Sequence, residues 1–305
     1  MKVFNLTHNN SHNVKLVAEK NAISIVQIPP DGLYDSIIVS LTDNIGNKFD
    51  SRPISKTHNS FVIQLENVHS GKYTLACFKR GFAFEFYKHW FSKIPIIIDK
   101  NRIVTFDQSP VYDNNIKCFQ QIDERPFNKT IATDTPSWKI KHIAKRITRG
   151  SSTSYDAALA VHDYIANTIS YDMDSYDKIV NKARIDYAKV SDASLVLASG
   201  VGVCAGYSNL AVAMFTSIDI PAKSVSCYAL GYSTEGKWSR ENIQSSSNHV
   251  ITAAYIKNRW VLMDITWDAV NNYQDGHVKK HRDFRRDYFD PTLPFLSCTH
   301  KLLPS

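Results

Sequence analysis

The chain has 305 residues, of which 43% are hydrophobic and 21% are charged, values that are ordinary for a soluble globular protein. This length accommodates one large domain or two of medium size. No run of about 18 apolar residues occurs, so we expect no membrane span.

The five cysteines are scattered along the chain and odd in number: Cys77, Cys118, Cys204, Cys227 and Cys298. They contain no C-x-x-C pair, so the sequence does not support a zinc ribbon or a thioredoxin-type motif. The N-terminal residues lack the apolar stretch of a secretory signal. We therefore expect reduced thiols and a cytoplasmic location, with export by a dedicated secretion apparatus left open.

The net charge is +7, and two basic segments, residues 139–149 and 279–286, contribute much of it. A run of charges usually forms a solvated surface, and this is the interpretation we favour. Attraction to nucleic acid or to an acidic partner is the alternative. Neither segment carries a recognised nucleic-acid motif, so we expect no nucleic-acid partner.

Residues 1–115 predict an all-β, sandwich-like domain. Short runs rich in Val, Ile, Phe and Tyr recur at regular spacing, which is typical of a β-sandwich. The runs are 23–28, 36–41, 60–65, 72–78, 96–98 and 102–106. Turn residues at 29–32 and 44–47 separate several of them. No nucleophile, acid and base cluster here, so we expect this domain to pack against the remainder of the chain or to present it.

Residues 116–135 lose this pattern and predict a linker. A helix is then predicted with Thr135 as N-cap and Pro136 at its first position, because proline suits the first turn. Apolar residues follow at helical spacing, and Gly150 is expected to end the helix.

The remainder, residues 136–305, predicts helices followed by an antiparallel sheet, which is an α+β plan. Further helices are expected after residues 151–154, over 192–199, and from Cys204 to about Ser217. Strands are expected at 223–230, 249–256 and 260–265, the last two joined by a tight turn at 257–259.

Cys204 is the candidate nucleophile. Two glycines, Gly200 and Gly202, lead into it, and it opens an apolar helix. A helix N-terminus offers free N–H groups and partial positive charge, which favour a thiolate and can stabilise an oxyanion. The alternative is a buried cysteine that acts as a small hydrophobic residue.

His249 and Asp264 are the candidate base and orienting acid. Asp264 interrupts an apolar strand, and a buried carboxylate needs a partner. His249 begins the neighbouring strand of the hairpin, so a cross-strand contact between the two is sterically reasonable. Together the three residues supply the roles that acyl transfer requires.

Several motifs in this half resemble those of the transglutaminase-like superfamily of cysteine proteases and acyltransferases. The resemblance covers roughly residues 153–302. It includes Tyr164-Ile165 followed by 169–172, the nucleophile segment 202–208, and Trp260 through Asp268. Residues 287–291 and Thr299-His300 are similar to the closing segment of the kyphoscoliosis-peptidase and cytokinesis-protein branch.

The resemblance implies a papain-like core in which Cys204, His249 and Asp264 occupy the catalytic positions. Tyr171 and Trp267 are candidate substrate-binding residues, although core packing is the role that we favour for each. The family commonly has His-Ala-Trp-Asn where this chain has His249 followed by 250–252, Val-Ile-Thr. This departure concerns the wall of the substrate site more than the chemistry.

The implied function is an enzyme that attacks amide bonds of a protein or peptide through a thioester intermediate. Water as acceptor makes it a thiol peptidase or amidohydrolase, the outcome that we favour. An amine acceptor makes it a cross-linking transglutaminase, and a binding module on the same fold is the third alternative. No calcium-loop pattern occurs, so we predict no metal or other cofactor. The sequence fixes neither the substrate nor the oligomeric state.

Overall fold

The protein is described here from a computed structural model, which covers residues 2–5, 14–27, 36–58, 60–80, 88–124, 136–231, 236–269, 271–274, 277–280 and 284–304. The chain forms two compact units. One comprises residues 1–116 and 291–299, and the other comprises residues 117–290 and 300–305. The domain boundaries predicted from sequence, at residues 115 and 135, stay predictions.

The first unit is built mainly from antiparallel strands. They are β1 (Lys2–Asn5), β2 (Val14–Glu19), β3 (Ala22–Gln27), β4 (Ser36–Asp43), β5 (Lys48–Asp50), β6 (Ile54–Ser55), β7 (Ser60–Gln64), β8 (Gly71–Arg80), β9 (Lys88–Ile98) and β10 (Val104–Phe106). One sheet has the order β1-β2-β3-β7. The other has the order β10-β9-β8-β4-β5, with β6 paired to β4.

Alternating burial explains why these segments form strands. In β4, Ile37, Val39 and Leu41 are buried, whereas the residues between them are only partly covered. This period of two places one apolar face towards a core. All six predicted strands are confirmed, whereas β1, β2, β5 and β6 were not predicted.

The two predicted turns have different outcomes. At residues 44–47, the Asp43 carboxylate accepts the N–H groups of Ile45 and Asn47, and Gly46 has a φ of +95°. Such a backbone conformation favours glycine, so the turn is confirmed. The turn predicted at residues 29–32 lies outside the described residues.

The following elements complete the chain. They are α1 (Tyr112–Glu124), α2 (Trp138–Ile147), α3 (Ser154–Thr168), β11 (Ser170–Tyr171), α4 (Met173–Val180), α5 (Tyr187–Ser191), α6 (Ala193–Ser199), β12 (Val201–Gly202), α7 (Cys204–Thr216), β13 (Ala222–Ala229), α8 (Arg240–Gln244), β14 (His249–Ile256), β15 (Arg259–Met263), α9 (Ile265–Asp268), β16 (Asn271–Gln274), β17 (His277–Lys280), α10 (Leu293–Ser297) and β18 (His300–Leu302). The first part of the predicted linker is thus helical, and residues 125–135 lie outside the described residues.

Helix α7 forms the centre of the second unit. Leu210, Met214 and Phe215 are fully buried, and the helix packs against α3, β13 and β14. A helix that is apolar on nearly every side is stable only inside a core. Its first residue, Cys204, is therefore held at the start of a buried helix.

The antiparallel sheet of this unit has the order β15-β14-β13-β18. Its register places Cys227 opposite His249 across one edge of β13, and Ala229 opposite His300 across the other. The helices-then-sheet plan is confirmed, and the sheet brings two histidines from distant parts of the chain to the two sides of one strand.

Three predicted boundaries were wrong. Helix α2 begins at Trp138 with Ser137 as its N-cap, because the Ser137 hydroxyl accepts the Ile140 N–H; it ends at Ile147, before Gly150. Asp264 does not lie within a strand. Strand β15 ends at Met263, and Asp264 caps α9 by accepting the Trp267 N–H.

None of the helices in the described ranges is both long enough and apolar enough to cross a lipid bilayer. No disulfide joins the five cysteines, all of which lie in described ranges.

Candidate active site

A short, tightly held backbone segment positions Cys204 at the first residue of α7. Helix α6 ends at Gly200 in the left-handed conformation, with a φ of 73°. Strand β12 follows and pairs in parallel with β11, so that the Ser170 N–H donates to Gly200 O at 2.8 Å. Because Cys204 is the first residue of α7, the partial positive charge of the helix N-terminus lies near its sulfur.

Glycines beside the nucleophile permit close backbone packing. A Cβ atom at Gly206 would lie 2.3 Å from Val190 O and 2.9 Å from a methyl group of Val196. At Gly202 the corresponding distances to Val196 and Val190 are 3.1 and 3.2 Å. The glycine pattern around Cys204 therefore reflects contact of α7 and β12 with the segment 190–196.

The three predicted catalytic residues lie together. His249, the first residue of β14, places Nε2 at 2.7 Å from Asp264 Oδ2, and both residues are buried. The His249 ring also interacts with the Cys204 thiol, whose pKa it lowers. Because Nε2 contacts Asp264, Nδ1 is the ring nitrogen left to exchange a proton with the sulfur. This is the order of contacts that a nucleophile, a base and an orienting acid require.

Electrostatics favour a charged pair. Burial raises the pKa of the Cys204 thiol, but the hydrogen bond and charge of His249 and the Val250 N–H outweigh it, so the net pKa is lowered. Burial lowers the pKa of His249, yet the Asp264 carboxylate and the Cys204 sulfur raise it to about 10. The two shifts together stabilise a thiolate beside an imidazolium.

Asp264 has three hydrogen-bond donors on its carboxylate. His300 Nε2 lies 3.0 Å from Oδ2, the same oxygen that contacts His249. The Trp267 N–H donates to Oδ1 at 3.1 Å. Burial raises the pKa of Asp264, but the two histidines outweigh this and hold it well below its usual range. Asp264 is thus fixed as an anion.

Two features of this site could not be assigned from the sequence. His300 lies 36 positions after Asp264, in the short strand β18, and the family resemblance of Thr299-His300 gave it no role. The Val250 N–H is a backbone group, which any residue at this position except proline would supply. Only pairing of β18 with β13 brings His300 to the site.

Tyr171 lies close to the nucleophile. It belongs to β11, opposite Gly202 of β12, and its ring is 5.9 Å from that of Tyr176 and 6.4 Å from that of Tyr207. Burial, followed by the charge of Cys204, raises its pKa. Its position suits the substrate-binding role predicted for it, which stays a prediction.

Trp267 lies on the histidine side of the site. Its ring centroid is 4.5 Å from that of His300, 6.2 Å from that of His249 and 5.3 Å from that of Tyr288. The side chain is only partly buried, so one part packs against the histidines and another part faces outward. Its substrate-binding role also stays a prediction.

The residues that replace the common motif after His249 have structural contacts. The Thr252 hydroxyl donates to Ser208 Oγ at 3.0 Å, and Ser208 donates to Ile251 O at 3.1 Å. Both Ile251 and Thr252 are buried. They therefore join β14 to α7, and only Val250, which is partly exposed, lies next to the sulfur through its amide.

A metal could contact three side chains in this region. The ligand atoms of His249, Asp264 and His300 lie within 4.8 Å of one another, and all three side chains are buried. However, both Nε2 atoms already contact Asp264 Oδ2, at 2.7 and 3.0 Å. A metal would have to replace both hydrogen bonds and their protons. The donor set fits a hydrogen-bonded carboxylate better than a preformed ligand set.

The sequence model of the Transglutaminase-like superfamily matches residues 141–265, a range that includes Cys204, His249 and Asp264. The chain therefore contains a transglutaminase-like domain, made of helices and an antiparallel sheet, after an N-terminal strand-rich region. This confirms the predicted fold class. No curated protein matches the chain.

Among solved structures, the chain is similar to a TGase, with 20% identity and a TM-score of 0.36 over 65% of this chain and 49% of that chain. It thus spans about half the length of that protein. It is also similar to a protein proposed to be a cysteine protease from Cytophaga hutchinsonii, with 18% identity and a TM-score of 0.32 over 92% and 75% of the two chains. A protein proposed to be a protease from Parabacteroides distasonis has 9% identity and a TM-score of 0.29, with coverage of 88% and 68%.

Proposed function

We propose that the transglutaminase-like domain is a cysteine-dependent acyl-transfer enzyme that hydrolyses amide bonds of a protein or peptide. The observation that carries this proposal is the His249–Asp264 hydrogen bond beside Cys204, whose pKa His249 lowers, at the N-terminus of a buried helix. We favour hydrolysis because residues 287–291 and Thr299-His300 resemble the kyphoscoliosis-peptidase branch. We retain a cytoplasmic location as a prediction.

The geometry supports a two-step reaction. The Cys204 thiolate attacks the carbonyl carbon, and N–H groups at the start of α7 stabilise the negative oxygen that forms. The His249 imidazolium then gives its Nδ1 proton to the departing amine, which leaves a thioester on Cys204. His249 next takes a proton from water as the water attacks the thioester, and the carboxylic acid departs as the thiolate re-forms.

Asp264 contributes by fixing the imidazole. With His249 Nε2 donating to Oδ2 at 2.7 Å, Nδ1 stays directed at Cys204 through both steps. The carboxylate also stabilises the imidazolium of the resting pair, because an opposite charge within hydrogen-bond distance favours the charged form.

The other cysteines provide an internal control. Cys298 is partly exposed, like Cys204, but burial and the nearby Asp107 raise its pKa to about 11. Alkylation of the folded wild-type protein with iodoacetamide at pH 6, mapped by peptide mass spectrometry, should label Cys204 at least tenfold faster than Cys298. Equal rates at the two thiols would contradict the proposal.

An amine acceptor is the second candidate, because water and an amine can attack the same thioester. Incubation with a glutamine-containing peptide and a fluorescent primary amine distinguishes the two outcomes. We expect deamidated or cleaved peptide as the main product. A predominance of amine-coupled peptide would make the protein a cross-linking transglutaminase.

A binding module without activity is the third candidate. The Cys204→Ala variant removes the nucleophile from a partly exposed position and should fold normally. If every partner complex and cellular effect of the wild type persists with Cys204→Ala, the enzyme proposal fails.

A further inference from the structure

We propose that His300 is a positioning residue of this site, a neutral imidazole whose Nε2–H holds Asp264 as an anion aligned on His249. This inference rests on the proposed function, since it gives His300 a part in the same acyl-transfer site. It assigns to Asp264 two histidine partners with different tasks, one that carries the proton of the reaction and one that does not.

The geometry supports the assignment. His300 is fully buried, and its Nε2 lies 3.0 Å from Asp264 Oδ2. Its ring is enclosed by Trp267 at 4.5 Å, Tyr288 at 5.2 Å and His249 at 5.7 Å between centroids. Strand β18 fixes the backbone through the pairing of His300 with Ala229. The imidazole is therefore held by packing on several sides, and its orientation towards Asp264 is preorganised.

Charge decides which of the two histidines carries the proton. A second imidazolium on His300 would be fully buried and only 5.7 Å from the charged His249 ring between centroids, and a buried charge is expensive away from water. The titratable side chains that face His300 include Asp264, His249 and Tyr288. Burial and the charge of His249 hold the pKa of His300 below its usual value, despite Asp264. His300 is thus the neutral donor.

Four other titratable groups also lie near Asp264. They are Cys204, Cys227, Tyr171 and Asp268, each of which couples electrostatically to this carboxylate. Apart from the two histidines, these neighbours are neutral or negative. The loss of the His300 donor would therefore leave the carboxylate with His249 and the Trp267 N–H as donors, close to the negative charges of the Cys204 thiolate and Asp268.

A consequence follows for the acidic limit of the site. Removing the His300 donor makes protonation of Asp264 easier, since a hydrogen bond to the charged form has been lost. As the pH falls, the Cys204 thiolate and the His249 imidazolium are then lost at a higher pH than in the wild type. A substitution that only loosens packing would lower stability without moving this limit.

The test measures the rate of Cys204 alkylation by iodoacetamide from pH 3.5 to 8 in three full-length variants. His300→Phe preserves ring packing and removes the donor, and should move the acidic midpoint up by about one pH unit. His300→Gln keeps an N–H donor and should recover at least half of that shift. His162→Gln changes a second buried histidine, which contacts Asp268. This control should move the acidic midpoint by less than about 0.3 pH units from the wild-type value.

Each outcome has a definite meaning. A folded His300→Phe protein with the wild-type midpoint overturns this inference, while selective labelling of wild-type Cys204 leaves the proposed function intact. Unselective labelling of the wild type overturns the proposed function itself. If His300→Phe does not fold, nitrogen-15 NMR of the wild type decides. We expect His300 to stay neutral with its proton on Nε2 from pH 5 to 8, and titration within that range would overturn the inference.

Discussion

His162 Nε2 lies 3.0 Å from Asp268 Oδ2, so the short helix α9 has a buried histidine–aspartate contact at each end. At its N-terminus Asp264 meets His249 and His300, and at its last residue Asp268 meets His162 of α3. Both Asp268 oxygens also accept the Tyr288 N–H, at 3.1 and 3.0 Å. The site is therefore joined to the helical layer through a single turn of helix.

The contact between His162 and Asp268 should matter for stability. Replacing His162 by Ala leaves the buried Asp268 carboxyl without its histidine partner, and we expect a loss of roughly 3–5 kcal/mol in the free energy of unfolding. Asp186→Ala is the control, because Asp186 precedes α5 without a capping hydrogen bond and should change stability by less than about 0.5 kcal/mol. Urea unfolding followed by tryptophan fluorescence gives both values. Similar losses in the two variants would argue against a specific contribution of the His162–Asp268 contact to stability.

Asp264 should be essential for rate. Asp264→Asn keeps the size of the side chain but removes the charge that stabilises the His249 imidazolium. We expect kcat/KM for a cleaved peptide to fall about 10²- to 10⁴-fold. The companion variant Asp172→Asn changes another helix-capping aspartate, whose contacts are with Ser175. A loss in Asp172→Asn as large as that in Asp264→Asn would show that the effect is not specific to the site.

The charged pair should also make stability depend on pH. The folded pKa of His249 is raised to about 10, above its unfolded value near 6.5. The stability gained from the imidazolium is thus fully present below pH 6.5 and is lost as the pH rises towards 10. The Tm difference between wild type and Asp264→Asn should be largest near pH 6 and should shrink by pH 10. A difference that stays constant over this range would contradict the assignment of the proton to His249.

Gly206 should tolerate no side chain. Helix propensity alone would make Gly206→Ala stabilising by about 1 kcal/mol. Because the added Cβ would lie 2.3 Å from Val190 O, we instead expect a loss of about 1–3 kcal/mol and slower alkylation of Cys204. Gly150→Ala is the matched control, since its Cβ would meet nothing within 4 Å. Thermal unfolding of both proteins decides, and a rise of Tm in Gly206→Ala would refute the packing argument.

Local patterns predicted much of the second unit. The apolar segment of α7 begins at Cys204 as expected, and β14 spans His249–Ile256, the predicted range. Asp264 was misplaced because the strand and the following cap share one apolar run. Only the contact of its carboxylate with the Trp267 N–H marks the change from strand to helix.

The elements that depend on pairing with distant segments could not be predicted from the sequence. His300 reaches Asp264 through the register of β18 against β13, and nothing in the short segment 300–302 specifies that register by itself. Strands β1 and β2 were missed for a similar reason, since they are stabilised by pairing with each other and with β3. Sequence patterns detect the elements that carry their own apolar periodicity better than those that depend on a partner.

The two-residue ladder between β11 and β12 has a consequence for motion. It holds the backbone just before Cys204 through the amide protons of Ser170 and Asp172, which donate to Gly200 O and Gly202 O. Ladders this short open far more often than core strands, so these two protons should exchange with solvent faster than those of β14. Their exchange rates report how often the pairing of β11 with β12 beside Cys204 opens. A covalent adduct on Cys204 that stabilises this pairing would slow exchange at both amides.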